Sequence, residues 1–362
     1  MLVAVGAGRS RPDVKDTYAA ALITQARNLA VAHRYVDAVG SLYTDEFRRY
    51  VATSSHPDLV LVLSELAWWM AWGGRLAEAE RIFDEVETRL DRQAEEVTDQ
   101  LRFSIRARHA YVVGVDGARA SSERAVAMFT QLVSELEAEP EVTAELRFHI
   151  RRQRARWIGT TGHAERALGL LGELEDEFAG VIPADSEEWL LLLSNLAYFT
   201  ASIEASNSGA AEEAEQRYAS LVAARTMALG ALHPHTLDAR RNASWVLGRR
   251  DPTTALRQDI DLVADCLLVL DASHRYVVAT RLDIAVLAAR LDDPGVVNKQ
   301  VDLVLAAVEA ADSAFDVLSE YGSVDAPIGK LDELTRYLRS NADENRGSAL
   351  TRARENLHGE RP

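Results

Sequence analysis

The chain has 362 residues, enough for two ordinary domains or one elongated array, and 48% of them are apolar, ample for a core. A formal net charge of −16 argues against generic binding to nucleic acid or to an anionic membrane surface. No apolar run reaches bilayer-spanning length, and the single cysteine, Cys266, excludes an internal disulfide framework and fits a reducing compartment, so a cytoplasmic location is expected. Only Lys15, Lys299 and Lys330 are lysines; almost all positive charge is arginine, the better residue for forked carboxylate contacts and ring stacking.

Residues 1–16 lack the basic start, full apolar stretch and cleavage site of a secretory signal and read as a flexible leader. "VAVGAGRS" (3–10) hints at a phosphate loop but satisfies neither Gly-rich fingerprint. From residue 17 to 310 a period governs the chain. The small residues Ala26, Ala67, Ala110, Ala155, Ala197, Ser244 and Ala285 are 41, 43, 45, 42, 47 and 41 residues apart. A second small or apolar residue usually follows twelve positions on, after a polar or Gly-containing break: Ala38, Ala79, Ala167 and Val297. Ala125 and Ala214 come three and five residues later than this spacing, and Ala255 one earlier. Each unit reads as two helices. "HPDLVLVLSELAWWMAW" (56–72) is apolar at helical spacing, and "LAEAERIFDEVETRL" (76–90) puts Leu76, Ala79, Phe83 and Val86 on one face. Pro57, Pro140, Pro183 and Pro234 fall at the starts of first helices, and Pro252 and Pro294, each behind an aspartate N-cap, open second helices. After the repeats, residues 311–340 read as capping helices: 301–322 can form one long helix and 329–340 a further amphipathic one. The polar stretch 341–362 reads as a frayed or disordered tail.

"ALHPHTLDARRNASW" (231–245) carries His233 and His235, two apart, with Asp238 and arginines behind. Zinc needs three or four converging ligands. His56 and His274 recur at the position of His233 without a second histidine, so the stretch reads as a helix start, with Thr236 and Asp238 in its first turn. No metal, cofactor or catalytic constellation is expected. Cys266, in "DLVADCLLVL", reads as a buried thiol, and Glu187–Glu188 and Glu212–Glu213 as solvated helix starts.

These features resemble the tetratricopeptide repeat, more narrowly the long 42-residue variety of kinesin light chains and many bacterial regulators. The carrying residues are "HPHTLDARRNASW", "SNLAY" (194–198) and the small-residue spacings of "GGRLAEAERIF" and "TGHAERALGLL". HEAT-like repeats share the period but usually kink the first helix at a proline. The resemblance implies an all-α right-handed superhelix, a solenoid of about seven helix pairs. It also implies a concave groove, lined three before, and one and five after, each central small residue. Those positions hold Ser64, Trp68 and Trp72; Ala107 and Tyr111; Arg152 and Arg156; Ser194 and Tyr198; Arg241, Trp245 and Arg249; then Leu282 and Arg290.

Aromatic and arginine side chains are the usual anchors of binding sites. The candidate groove set is therefore Arg152, Arg156, Arg241 and Arg249 for charge, with Trp68, Trp72, Tyr111, Tyr198 and Trp245 for stacking. The bland alternative makes "RFHIRRQRARW" (147–157) a solvated face paired with acids such as Glu141 and Glu145, and several of the aromatics core, as Trp69 and Trp157 are expected to be. Asn195 and Asn242 match a family asparagine, but the lysines of the family's carboxylate clamps are absent, which speaks against a chaperone C-terminal tail. The expected function is a non-catalytic scaffold or adaptor holding an acidic or aromatic-containing protein segment. The alternatives are a peptide- or small-ligand-sensing arm of a bacterial regulatory system, acting in trans or as part of a longer chain, and, remotely, an enzyme with an unrecognised site.

Overall fold

Helices can pack closely only where side chains are small, and the periodic small residues sit at such points. In a computed structural model of the chain, Ala67, Ala110, Ala155, Ala197 and Ala285 are wholly buried, Ser244 nearly so, and each is followed by a wholly buried partner: Ala79, Ala125, Ala167, Ala214, Val297 and Ala255 respectively for the last. The structure describes residues 59–359, with breaks at 73–74, 93–96, 116–117, 204–209, 312–317 and 319–324, and scattered residues between 21 and 51. The leader, Ala26, Ala38, His56 and Pro57 lie outside the described residues. Among the described residues there is no strand, only an isolated bridge from Ala179 to Ile182.

Two compact units divide at Thr161/Gly162. The first contains α1 (Leu59–Trp72), α2 (Leu76–Arg92), α3 (Asp99–Gly114), α4 (Arg119–Leu136) and α5 (Ala144–Thr160). Each helix packs on the next, and the first helices α1, α3 and α5 also stack on one another. That sandwiching explains their composition: α1 is buried on every side from Leu59 to Ala71, against Ile23, Val39 and Phe47 among others. Second helices bury one stripe, as α2 does with Leu76, Ala79, Phe83, Val86 and Leu90. Gly114 marks the tightest contact, since a Cβ there would lie 2.6 Å from the Trp157 ring.

The second unit contains α6 (Ala164–Phe178), α7 (Glu187–Ile203), α8 (Ala210–Leu229), α9 (Pro234–Leu247), α10 (Pro252–Cys266), α11 (Arg275–Arg290), α12 (Pro294–Glu309), α13 (Asp325–Ser340) and α14 (Glu344–Gly359). Successive helices pack pairwise except α12 and α13, and α9 packs on α11 and α11 on α13 as well. The long helix expected over 301–322 ends at Glu309, because 294–309 is the second helix of the α11–α12 pair. The expected frayed tail is also corrected. Residues 344–359 form α14, which packs on α12 and α13 and buries Leu350 and Leu357. The α13–α14 turn repeats the α11–α12 turn: Asp292 and Ala342 both have positive φ (55° and 60°), and the next residue, Asp293 or Asp343, caps the following helix. Buried Thr335 and Gly347, twelve apart, continue the small-residue rule into this additional pair.

Helix ends follow local chemistry. Thr98, Thr143, Asp251 and Asp293 cap α3, α5, α10 and α12 by accepting a backbone N–H. Pro234, Pro252 and Pro294 occupy first-turn positions, whereas Pro140 and Pro183 lie in the turns ahead of α5 and α7. His233 caps α9: its Nδ1 accepts the His235 N–H at 3.2 Å, and His274 does the same for Tyr276 at 3.2 Å on α11. Capping needs the neutral ring. Burial, then the charge of Arg225, holds His233 below the ordinary imidazole range. A folded value below the unfolded one means that the contribution is complete above about pH 6.5 and is lost as pH falls below it. His233→Asn keeps an acceptor without titrating. It is expected to match wild type in melting temperature at pH 7.5 and exceed it at pH 5, whereas His233→Ala loses on the order of 1 kcal/mol at pH 7.5. Parallel melting curves for wild type and His233→Asn at both pH values would refute the cap assignment.

Candidate functional site

In the first unit, the faces of α1, α3 and α5 carry a continuous aromatic surface. Trp68 and Trp72 of α1 meet edge-to-face at 5.8 Å, and Tyr111 of α3 lies 5.5 Å from Trp68 and 6.3 Å from Trp72. Tyr111 in turn meets the buried Trp157 of α5 at 5.8 Å. The Arg156 guanidinium lies over both rings, 5.3 Å from Tyr111 and 4.8 Å from Trp157. Arg156 is half-buried and makes no hydrogen bond or ion pair with any described residue. Cation–π contact offers about 0.5–2 kcal/mol to such a cation and leaves its forked N–H groups for another acceptor. Trp68 is almost fully buried and Trp72 half-buried, so the two residues divide between packing and surface. Arg152, expected on the same face, is instead buried at 2% exposure.

One residue beyond the predicted set touches this surface, and a second shares its repeat position. Arg108 lies 5.5 Å over the Trp68 ring while its NH1 donates to the buried Glu65 carboxylate at 2.9 Å. Gln153 is buried with its Oε1 lacking a hydrogen-bond partner. Glu65, Arg108 and Gln153 all precede their central alanine by two residues, and opposite charges at one repeat position, 43 residues apart, are the signal that could have found the Arg108–Glu65 pair.

In the second unit the predicted residues have separate surroundings. Tyr198 is 56% exposed, its ring edge-on to Phe199. Arg249 donates from NH1 to the Ala201 carbonyl at 2.9 Å. Arg241 is turned inward: it is 3% exposed and donates to Asp283 at 3.1 Å and to Asn242 Oδ1 at 3.2 Å. This corrects its placement on an open face; the acid it was expected to meet in a ligand is supplied by the next first helix. Trp245, half-buried, has Arg290 and Lys330 near its ring at 5.2 and 5.0 Å. Leu282 is core, and Arg290 pairs with Glu333 at 3.0 Å. Burial pushes the Cys266 thiol up to about 11, so it is an inert core group rather than a nucleophile. Among the described residues no cluster of His, Cys, Asp and Glu could hold a metal ion, and no helix is long and apolar enough to cross a membrane.

No family model matches the chain, and no curated protein matches it. Solved structures do. A Rap protein complexed with competence and sporulation factor superposes with TM-score 0.60 at 13% identity, over 97% of this chain and 89% of that one. A tetratricopeptide repeat protein from Parabacteroides merdae gives TM-score 0.52 at 11% identity, over 88% and 99%. A putative kinesin light chain from Podosopora anserina with nearly identical TPR-like repeats gives 0.48 at 17% identity, over 59% and 97%. The fold is a TPR-like α-solenoid.

Proposed function

We propose that the chain is a non-catalytic scaffold that holds a segment of a partner protein against the first-helix face of its first unit, with an acidic side chain on Arg156 and apolar or aromatic neighbours on Trp68, Trp72 and Tyr111. One observation carries the reading: a half-buried guanidinium stacked on two rings and left without a carboxylate, in a chain of net charge −16. Elsewhere the structure pairs arginines with acids one period away, as in Arg241–Asp283 and Arg346–Asp302. A planar cation lying over two rings suits forked recognition of a carboxylate.

A random peptide library selected on the wild-type chain is expected to enrich aspartate or glutamate beside an aromatic residue. Arg156→Gln is expected to bind the winning peptide about 10- to 100-fold more weakly, the scale of one charged hydrogen bond, and to lose the difference between that peptide and its Asn/Gln analogue. Winners without acidic residues would sink the reading. The Rap protein's complex with competence and sporulation factor supports a second reading, in which the segment is a small signalling peptide and the chain a sensing arm.

A further inference from the structure

Inside the second unit runs a chain of buried charge that the ligand reading does not use. Arg225 of α8, Asp238 and Arg241 of α9, Asp259 of α10, Asp283 of α11 and Lys330 of α13 are each at most 7% exposed. Most are satisfied. Arg225 donates to the His235 carbonyl at 2.7 Å and lies 3.9 Å from Asp238. Arg241 spans Asp238 at 3.5 Å and Asp283 at 3.1 Å, and Lys330 Nζ lies 2.7 Å from the other Asp283 oxygen. Asp259 differs. It is wholly buried and neither carboxyl oxygen has a hydrogen-bond partner. The neighbouring Ser244 hydroxyl donates instead to the Ala255 carbonyl at 3.1 Å.

A buried carboxylate with no hydrogen bond forfeits its hydration without return, so the neutral acid is the form the surroundings favour. Burial is the largest cause and the Asp283 charge adds to it, while the charges of Arg241 and Lys330 pull the other way; the balance leaves Asp259 up at about 7. Of the other titratable groups around the network, Tyr218, Tyr276 and Cys266 are held protonated, chiefly by burial, while burial and then the Arg225 charge lower His233.

We propose that Asp259 is a proton-operated switch in the second unit. Protonated, it leaves Arg241 and Lys330 both locked on Asp283. When it releases its proton to water it becomes a second carboxylate within the field of the same two cations, and it draws Lys330 from Asp283. Lys330 is the one that moves: its ammonium ends a flexible stem, whereas the Arg241 guanidinium is a rigid planar fork. Because Lys330 is carried by α13 and Asp283 by α11, the step loosens the ionic grip between these consecutive first helices. It also moves the cation that sits 5.0 Å from the Trp245 ring.

The test is the intrinsic tryptophan fluorescence of the full chain between pH 5 and 9, in wild type, Trp245→Phe and Asp259→Asn, with circular dichroism showing all three helical. The expected result is a wild-type step with a midpoint near about 7, absent both without the reporter and in Asp259→Asn. An unchanged step in Asp259→Asn, or no Trp245-dependent step in wild type, overturns the proposal. If Asp259→Asn fails to fold, carbon-13 NMR of wild-type aspartate carboxyls decides: one resonance titrating near neutrality supports the switch, and all titrating below pH 5 overturns it.

Discussion

Replacing Asp283 with alanine is expected to destabilise the chain by about 3–5 kcal/mol, the scale for breaking a buried ion pair from one side. Asp283 is wholly buried and holds both Arg241 and Lys330, each nearly as deep. Taking away the carboxylate removes the acid that Arg241 and Lys330 share and leaves two buried cations with less opposing charge between them. Asp283→Asn is expected to cost nearly as much, because the loss is charge rather than shape. The intact network is a different quantity: desolvating its members offsets most of their mutual attraction, so its net worth is small even though its disruption is not. Urea denaturation followed by circular dichroism checks this. An unshifted midpoint for both variants would refute the role of Asp283 as the acid that holds the two cations.

Leu350→Ala is expected to cost about 2–5 kcal/mol. The residue is wholly buried on α14, in one core with Val301, Val304, Leu331, Leu334 and Leu338. Truncation removes apolar contact and leaves a cavity that neighbouring helices fill only in part. Arg352→Ala, two residues on and exposed, is the matched control and is expected to stay within about 0.5 kcal/mol of wild type. A melting temperature unaffected by Leu350→Ala would restore the picture of a frayed tail.

That tail shows where reading along the chain failed. Residues 341–362 are polar overall, and apart from Gly347 three apolar positions, Leu350, Ala353 and Leu357, carry the burial described there. A helix sealing the end of a stack needs only one narrow stripe, and so sparse a stripe is invisible without the surface of α12 and α13 that it covers. The extra length between Ala285 and Thr335, 50 residues against the usual 41 to 47, also hid the continuation of the period.

The candidate site divides the same way. The one-after column, Trp68, Tyr111 and Arg156, is brought together as repeat spacing implies. The three-before column is not open: Arg152 and Arg241 are both buried. Arg156 and Arg241 look alike in the sequence of a first helix, since placement relative to the neighbouring helices decides whether a guanidinium lies over rings or meets an acid.

By itself, the sequence determined what depends on neighbours along the chain. Small residues a period apart set where helices can touch, His233, His274, Thr143 and Asp293 set where they begin, and Pro234, Pro252 and Pro294 mark first turns. These are local steric and hydrogen-bonding requirements, met or missed within a few residues. Only the tertiary structure decided which charges are spent and which are left to act. Arg241 finds Asp283 on the next first helix while Arg156 finds only rings. Asp259 is left in the core with no partner, because an ionic interaction depends on distance and dielectric between groups some forty residues apart.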